Sequence, residues 1–502
     1  MKQLITFFVI LLMSICCNNA FCSDSKLNNN LCTLGENLDV AEKLAINNQF
    51  KEAGSIYRCY LLKHPNEKQI YIDYVDSERA FENYDEAIAI LDRYKNLFGA
   101  DSEYQKTKAR VFADAGFYGS ALQLNIPLIE KSPHDSYLIA TQASALFQSG
   151  KRSEGLEKLH QLINQDPKSD DIEYLKILIE EPLQSTISIG TRFQDLSQAT
   201  DPIYIPPSAQ LIHQNDSVTI SRIPIEIQYY FNANTSLLFS ALGEFLSANS
   251  GNLVTDTGRS SINDQEYLIG IDSFVAPSLE LQGLIGDIAI SNGKNRAALY
   301  FAGKAAPNEK WKISFGALHD LYRPIDLTNG SPRAVSLGMM ETGGRFHVNY
   351  KSGLQSTIDL DFRIGHLSDN NKYARLAFEP GFIVFNTDRT NLMLGVNAEW
   401  LSFNEQLFQD GYYSPNLFQL YEVIGLYNIN VTPTFYIEMY AGGGITKDNL
   451  SPFGPAADVG IETKYTMYKN VDLASEVDYV VRALDPFYTE VRGSLSLTWR
   501  FA

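Results

Sequence analysis

The chain has 502 residues, a formal net charge of −18 and an aromatic content of 12%. This length predicts two or more domains, and the acidic balance excludes a nucleic-acid partner because phosphates require a basic surface. After residue 22 the sequence contains no long uncharged apolar stretch, so a membrane crossing would have to use β-strands.

Residues 1–22 have the features of a secretory signal peptide. Lys2 precedes the uncharged apolar run Leu4–Cys17, and small residues lie just before Ser23. The run is short for a membrane span, which favours a cleaved signal peptide over the alternative of an uncleaved anchor.

Cleavage after residue 22 would leave Cys32 and Cys59 as the cysteines of the mature chain. In an oxidising periplasm this even number is compatible with a disulfide, which would stiffen the first helical pair. Spacing alone does not fix a Cα distance, so two unpaired apolar side chains are the alternative.

Residues 34–168 repeat with a period of 34 residues. Three series follow this step: small residues (Ala53, Ala87, Ala121, Gly155), terminating residues (Pro65, Gly99, Pro133, Pro167) and aromatic residues with one departure (Phe50, Tyr84, Tyr118, Arg152). Small residues let antiparallel helices approach, and Pro or Gly ends the second helix. The pattern predicts four tetratricopeptide repeats with a concave binding surface. A spacer that only holds the barrel near an inner-membrane partner is the alternative.

Residues 169–183 are predicted to form a capping helix and a linker. Ser169, Asp170 and Asp171 suit a helix start, and Pro182 ends it.

Residues 184–502 alternate with period two, as in Ile358–Ile364. Alternation suits a soluble sandwich or a membrane barrel, and the chain end favours the barrel. Leu495, Leu497, Trp499 and Phe501 alternate in a way that resembles the terminal strand signal of outer-membrane proteins. We therefore predict a multi-domain protein of α and β structure: a tetratricopeptide α-solenoid followed by an antiparallel transmembrane β-barrel of about 16 strands.

This architecture places the barrel in the outer membrane and the repeats in the periplasm. The expected partners are outer-membrane lipid and the barrel assembly machinery.

A barrel of this size has a lumen wide enough for water. Alternation assigns mainly acidic and aromatic residues to its wall: Glu226, Asp359, Asp361, Glu399, Glu438, Tyr436, Tyr440, Asp472, Glu476 and Asp478, against Arg222, Lys312, Arg363 and Lys464. Such a wall suits the path of a neutral or cationic polysaccharide, and a charged lining that only keeps the interior wet is the alternative.

The sequence gives no positive sign of catalysis. Its seven histidines are scattered without metal-ligand spacing, so no catalytic, metal or cofactor site is predicted. A barrel enzyme acting on lipid A stays open, because such sites are recognised by geometry and not by spacing.

The order of signal, repeats and terminal barrel resembles the exopolysaccharide exporters of biofilm operons, namely the cellulose synthase operon protein C family and the poly-N-acetylglucosamine porins. The segment Gly411, Tyr412, Tyr413, Ser414, Pro415 and Asn416 is similar to a Gly-Tyr-Phe-Ser-Pro-Gln segment in the barrel of the cellulose exporters.

The resemblance implies that the barrel conducts a polysaccharide, while the repeats guide it or dock synthase and modifying proteins of the periplasm and inner membrane. The Ser-Pro step would fix a rigid loop at the rim or in the lumen, with interfacial anchoring as the alternative for Tyr412 and Tyr413. A plugged barrel that anchors a scaffold or acts as a surface receptor is the alternative function.

Overall fold

The computed structural model describes residues 37–47, 49–81, 83–169, 171–199, 216–249, 254–255, 257–308, 310–322, 332–351, 356–386, 390–407, 410, 412–432, 434–449, 451–468, 470–484 and 487–501. The predicted signal peptide, Cys32 and Gly411 lie outside these residues. The chain divides into two compact units, Met1–Ala115 and Gly116–Ala502.

The first unit consists of antiparallel helices in the predicted phase. They are α1 (Leu38–Ile46), α2 (Phe50–Lys63), α3 (Lys68–Ala80), α4 (Tyr84–Phe98) and α5 (Ser102–Asp114). Ala53 and Ala87, two of the small repeat positions, are fully buried, and Ile56, Leu91 and Tyr94 pack in the same core. The small residues therefore lie at helix crossings, as the repeat pattern requires.

The second unit begins with the rest of the repeats: α6 (Tyr118–Lys131), α7 (Ser136–Gln148) and α8 (Arg152–Gln165). Gly155 replaces the alanine of the other repeats, and a Cβ there would lie 2.8 Å from the Cβ of Phe147. The predicted capping segment is a short helix α9 (Asp171–Leu175), which continues as π-helix and then as a 3-10 turn that contains Pro182. Pro182 has no N–H with which to continue the helical hydrogen bonds, and the helical segment ends at the next residue, Leu183.

Sixteen antiparallel strands form a closed barrel, which confirms the predicted fold class. They are β1 (Ser185–Ala199), β2 (Asp216–Asn232), β3 (Thr235–Ala248), β4 (Ser261–Ala276), β5 (Leu279–Ile290), β6 (Asn295–Asn308), β7 (Trp311–Leu321), β8 (Met340–Lys351), β9 (Ser356–Leu367), β10 (Lys372–Asn386), β11 (Thr390–Phe403), β12 (Phe418–Thr432), β13 (Phe435–Asp448), β14 (Gly454–Tyr468), β15 (Val471–Arg482) and β16 (Phe487–Phe501). Pairing of Ser185 with Phe501 closes the cylinder.

The strand register separates an apolar outer face from an inner face. Ile189 pairs with Leu497, and Phe239 pairs with Ile269; all four side chains are exposed. Large exposed apolar side chains on every second residue are what lipid contact requires. In the middle of this surface Thr463 and Ser475 hydrogen-bond each other at 2.8 Å, so their hydroxyls are satisfied without water.

The two ends of the barrel differ in their connections. The near rim, where β1 begins and β16 ends, has two-residue turns such as 233–234 and 277–278. The opposite end, the far rim, has longer connections, including loop A (residues 322–339, between β7 and β8) and loop B (residues 404–417, between β11 and β12). Loop A contains the short helix α10 (Pro332–Leu337).

Candidate functional site

The inner face of the barrel carries the residues that the sequence assigns to the lumen. Register places all ten of them there: Glu226, Asp359, Asp361, Glu399, Tyr436, Glu438, Tyr440, Asp472, Glu476 and Asp478. The basic residues Arg222, Lys312, Arg363 and Lys464 share the same face. Contact of these side chains with a polymer stays a prediction.

The part of the lumen next to the near rim is polar. Asp359 accepts a hydrogen bond from Asn349 Nδ2 at 2.9 Å and lies 3.1 Å from His347 Nε2. Asp472 accepts from Thr466 Oγ1 at 2.8 Å and pairs with Arg500. Most of these groups are partly exposed inside the cylinder, as a water-filled passage would leave them.

Three glutamates stand side by side across neighbouring strands of this polar part. Glu438 pairs with Glu462, and Glu462 pairs with Glu476; we call these three the carboxylate row. Like charges directly opposite each other disfavour strand pairing, so a row of three is not explained by sheet stability. Glu462 was not among the sequence-assigned residues, although the alternation of β14 gives it the same parity as Lys464.

Aromatic and basic groups lie against the carboxylate row. Tyr436 Oη donates to Glu438 Oε2 at 2.6 Å, and Lys464 Nζ lies 2.8 Å from Glu462 Oε1. Lys464 Nζ also lies 5.7 Å from the centre of the Tyr436 ring. Tyr440 occupies a further inward position of β13. The wall therefore combines negative charge with tyrosine rings.

Further toward the far rim the wall is a belt of arginine–carboxylate pairs, the arginine ring. Its members are Arg222–Glu244, Arg345–Asp361, Arg363–Glu341, Arg375–Glu399, Arg482–Asp458 and Arg492–Glu490. Arg375 binds both oxygens of Glu399, with Nε at 2.7 Å and Nη2 at 3.0 Å. Glu399 is only 6% exposed, so its charge depends on this pairing.

Inward positions beyond the arginine ring are apolar and buried, and we call them the apolar tier. They include Leu196, Ile220, Leu246, Ile262, Ile288, Leu401, Leu420 and Val480. Loops A and B pack against this tier inside the cylinder: helix α10 contacts β3 and β4, and Ala334 and Val335 are buried. The described parts of both loops therefore fill lumen volume at the far rim.

Loop A is held from the rim of the barrel. Ser336 carbonyl oxygen accepts hydrogen bonds from Asn292 Nδ2 at 2.7 Å and from Lys294 Nζ at 2.5 Å, both in the β5–β6 turn. These bonds satisfy an orphan carbonyl at the end of α10. The helix is therefore anchored inside the far rim.

Loop B contains the described residues of the Gly-Tyr-Tyr-Ser-Pro-Asn segment singled out in the sequence. Tyr412 is 3% exposed and its Oη donates to Asp369 Oδ2 at 2.6 Å, while Asn371 Nδ2 donates to the same Oη at 3.0 Å. Burial, reinforced by the Asp369 carboxylate, raises the pKa of the Tyr412 hydroxyl, which keeps it a donor. Tyr412 thus lies inside the barrel and not on the lipid-facing surface.

The rest of the motif fixes the backbone of loop B. Ser414 Oγ accepts from the Leu407 N–H at 2.8 Å, and the Pro415 carbonyl accepts from the Phe403 N–H at 2.9 Å. Tyr413 Oη donates to Asp448 Oδ2 at 2.6 Å. Loops A and B meet where the rings of Tyr322 and Tyr412 lie 5.4 Å apart, edge to face. The sequence alone did not reveal this contact.

Cys59 is buried in α2 and takes part in a disulfide. The predicted partner, Cys32, lies outside the described residues, so the Cys32–Cys59 pairing stays a prediction.

No protein-family model and no curated protein matches this sequence. Among solved structures, one described as a bacterial polysaccharide outer membrane secretin is similar over 62% of this chain and 98% of its own, at 12% identity and a TM-score of 0.47. Acinetobacter baumannii OccAB1 is similar over 63% and 97%, at 11% identity and a TM-score of 0.35. A tetratricopeptide repeat protein from Parabacteroides merdae is similar over 28% and 56%, at 16% identity and a TM-score of 0.26.

At these identities the likeness concerns the course of the backbone only. The chain itself has the two parts that the sequence predicts, a helical repeat array and a closed sixteen-strand barrel.

Proposed function

We propose that the protein is an outer-membrane channel that conducts a secreted polysaccharide from the periplasm to the cell surface. The observation that carries this proposal is the carboxylate row with Tyr436 and Tyr440 on the inner wall. Carboxylates accept hydrogen bonds from sugar hydroxyls and attract ammonium groups, and tyrosine rings stack on sugar faces. A neutral or cationic polymer fits this wall best.

The connections support an orientation. Outer-membrane barrels have short periplasmic turns and longer extracellular loops, so the near rim would face the periplasm. The repeats precede β1, which begins at the near rim, so they would also be periplasmic. There they would guide the polymer or dock synthesis and modification proteins on a concave surface.

Loops A and B favour a second candidate. Their buried contacts with the apolar tier would suit a plugged barrel that anchors the repeat scaffold or acts as a surface receptor. In the channel these loops would have to leave the lumen to let the polymer pass, whereas in the plugged anchor they would stay in place.

Planar-bilayer recording on the full-length protein tests the proposal. We expect a low conductance that falls further when an oligosaccharide of the secreted polymer is added. A variant with loop B released, Asp369→Ala/Tyr412→Ala, should conduct more. Absence of conductance in both proteins would contradict the channel and leave the anchor.

Export provides the matching cellular test. A deletion strain should stop releasing the polymer, and wild-type protein should restore release. A complementing variant with Glu438, Glu462 and Glu476 changed to glutamine should restore less. Unchanged release in the deletion strain would exclude a role in export.

A further inference from the structure

The turn between α7 and α8 contacts the near rim of the barrel. Gly150 has a φ of +86°, and a Cβ there would overlap the carbonyl oxygen of Pro277 in the β4–β5 turn. Ser153 Oγ accepts a hydrogen bond from Asn234 Nδ2, in the β2–β3 turn, at 3.1 Å. The last repeat is therefore seated on two adjacent rim turns.

Arg152 extends from this turn to inward-facing residues. Its guanidinium carbon lies 4.0 Å from the ring centre of Phe274, which shares the inner face of β4 with Asp272. Tyr230, which has inward register in β2, also lies within electrostatic range of Arg152. A guanidinium at this distance from a ring centre makes a cation–π contact.

The charges around Arg152 belong to the mouth of the lumen. Asp272 and Glu280 are diagonal neighbours on the paired strands β4 and β5, and Lys304 Nζ is 3.7 Å from Glu280 Oε2. Arg152 interacts electrostatically with Asp272. Lys304, which comes from the barrel, and Arg152, which comes from the last repeat, are thus both close to this acidic pair.

The repeat pattern supports a special role for this position. The equivalent residues of the earlier repeats are Phe50, Tyr84 and Tyr118, whereas the last repeat has Arg152. Gly116, one repeat before Gly150, has the same φ of +86°, but among the described residues no barrel atom lies within 4 Å of its Cβ position. The aromatic residue is thus replaced in the repeat whose turn meets the rim.

We infer that the last repeat forms part of the pore mouth, with the turn Gly150–Ser153 docked on the near rim and Arg152 acting as a charge-selectivity residue of the channel. The selectivity part of this inference rests on the proposed channel function, whereas the docking part does not.

Cross-linking tests the docking in the full-length protein. The double variant Ser153→Cys/Asn234→Cys should form a disulfide under mild oxidation, detected by a mobility shift on non-reducing gels. Adding Gly150→Val should abolish the cross-link, because the side chain collides with Pro277. Adding Gly116→Val, which imposes the same backbone strain away from the rim, should leave it. Failure of the first pair to cross-link would overturn the docking.

Reversal potentials in a salt gradient test the role of Arg152. Arg152→Ala should raise the cation-to-anion permeability ratio about twofold, the order expected for one charge several ångströms from a passing ion in water. Lys151→Ala, which removes the same charge beside it, should change the ratio little. If Arg152→Ala conducts with the wild-type permeability ratio, the selectivity role of Arg152 is wrong and the proposed channel function is unaffected. If neither the wild type nor the variant conducts ions, the proposed channel function is wrong. The cross-link would still test the docking.

Discussion

The two ends of the lumen are lined by the same sixteen strands but by opposite kinds of inward side chain. Toward the near rim, inward positions are glutamates such as Glu438 and Glu476, which are at least partly exposed. Toward the far rim they are buried residues such as Ile220 and Leu401. The outer face is mainly apolar over both parts, as contact with lipid requires. The inner face instead depends on whether water or a loop fills the cylinder.

The arginine ring lies between these two parts. Burial of Glu341, Glu399 and Glu490 would be costly without a partner, and each one is paired with an arginine. The ring therefore marks the depth at which partly exposed inward side chains give way to buried, packed ones.

Release of loop B should have the largest effect, because it would open the packed far part of the lumen and make it more like the polar part. Tyr412→Ala removes the ring contact with Tyr322 and the hydrogen bond to Asp369, at a cost to loop packing of about 5 kcal/mol. Single-channel conductance should rise, because the apolar tier would lose its cover. The control is Tyr479→Ala, a lipid-facing tyrosine of β15. Equal conductance in Tyr412→Ala and wild type would mean that loop B does not limit the passage.

Loss of one arginine from the ring should have the next largest effect. Arg375→Ala leaves Glu399 buried without its cation, which should destabilise the barrel by about 3–4 kcal/mol. Urea unfolding in detergent micelles measures this change. Lys464→Ala breaks the more exposed pair with Glu462 and should cost less than about 1 kcal/mol. If the two variants lose similar amounts of unfolding free energy, burial does not make the ion pairs of the arginine ring stronger than the exposed Lys464–Glu462 pair.

Period-two alternation explains why so much of the barrel could be predicted. Residues such as Asp359 and Glu438 take the inner face because alternate side chains point to opposite sides of a strand. The same parity identifies Ile189 and Leu497 as lipid-facing. In the repeats, the regular step of Ala53 and Ala87 reports helix crossings directly.

The loops that fill the lumen at the far rim could not be predicted from alternation. Tyr322 and Tyr412 are separated by most of loop A and four strands, and no local period connects residues in two loops. A weak signal does exist where alternation fails, as in Tyr479-Val480-Val481, because Val480 faces the packed part of the lumen. The pairs of the arginine ring likewise depend on register between strands, which the sequence of one strand does not contain.

Neutralising the carboxylate row should have the smallest effect on stability and still change permeation. Glu438→Gln/Glu462→Gln/Glu476→Gln removes repulsion between directly opposed like charges, so the free energy of unfolding should rise by less than about 1 kcal/mol. The cation-to-anion permeability ratio should fall several-fold, since three charges leave one wall of the lumen. The matched control is Asp195→Asn, an acidic residue on the outer face of β1. If the carboxylate row instead served folding, the triple variant would be less stable and its permeability ratio would be unchanged. The glutamates would then be stabilised by contacts within the barrel wall and not by the ions or polymer in the lumen.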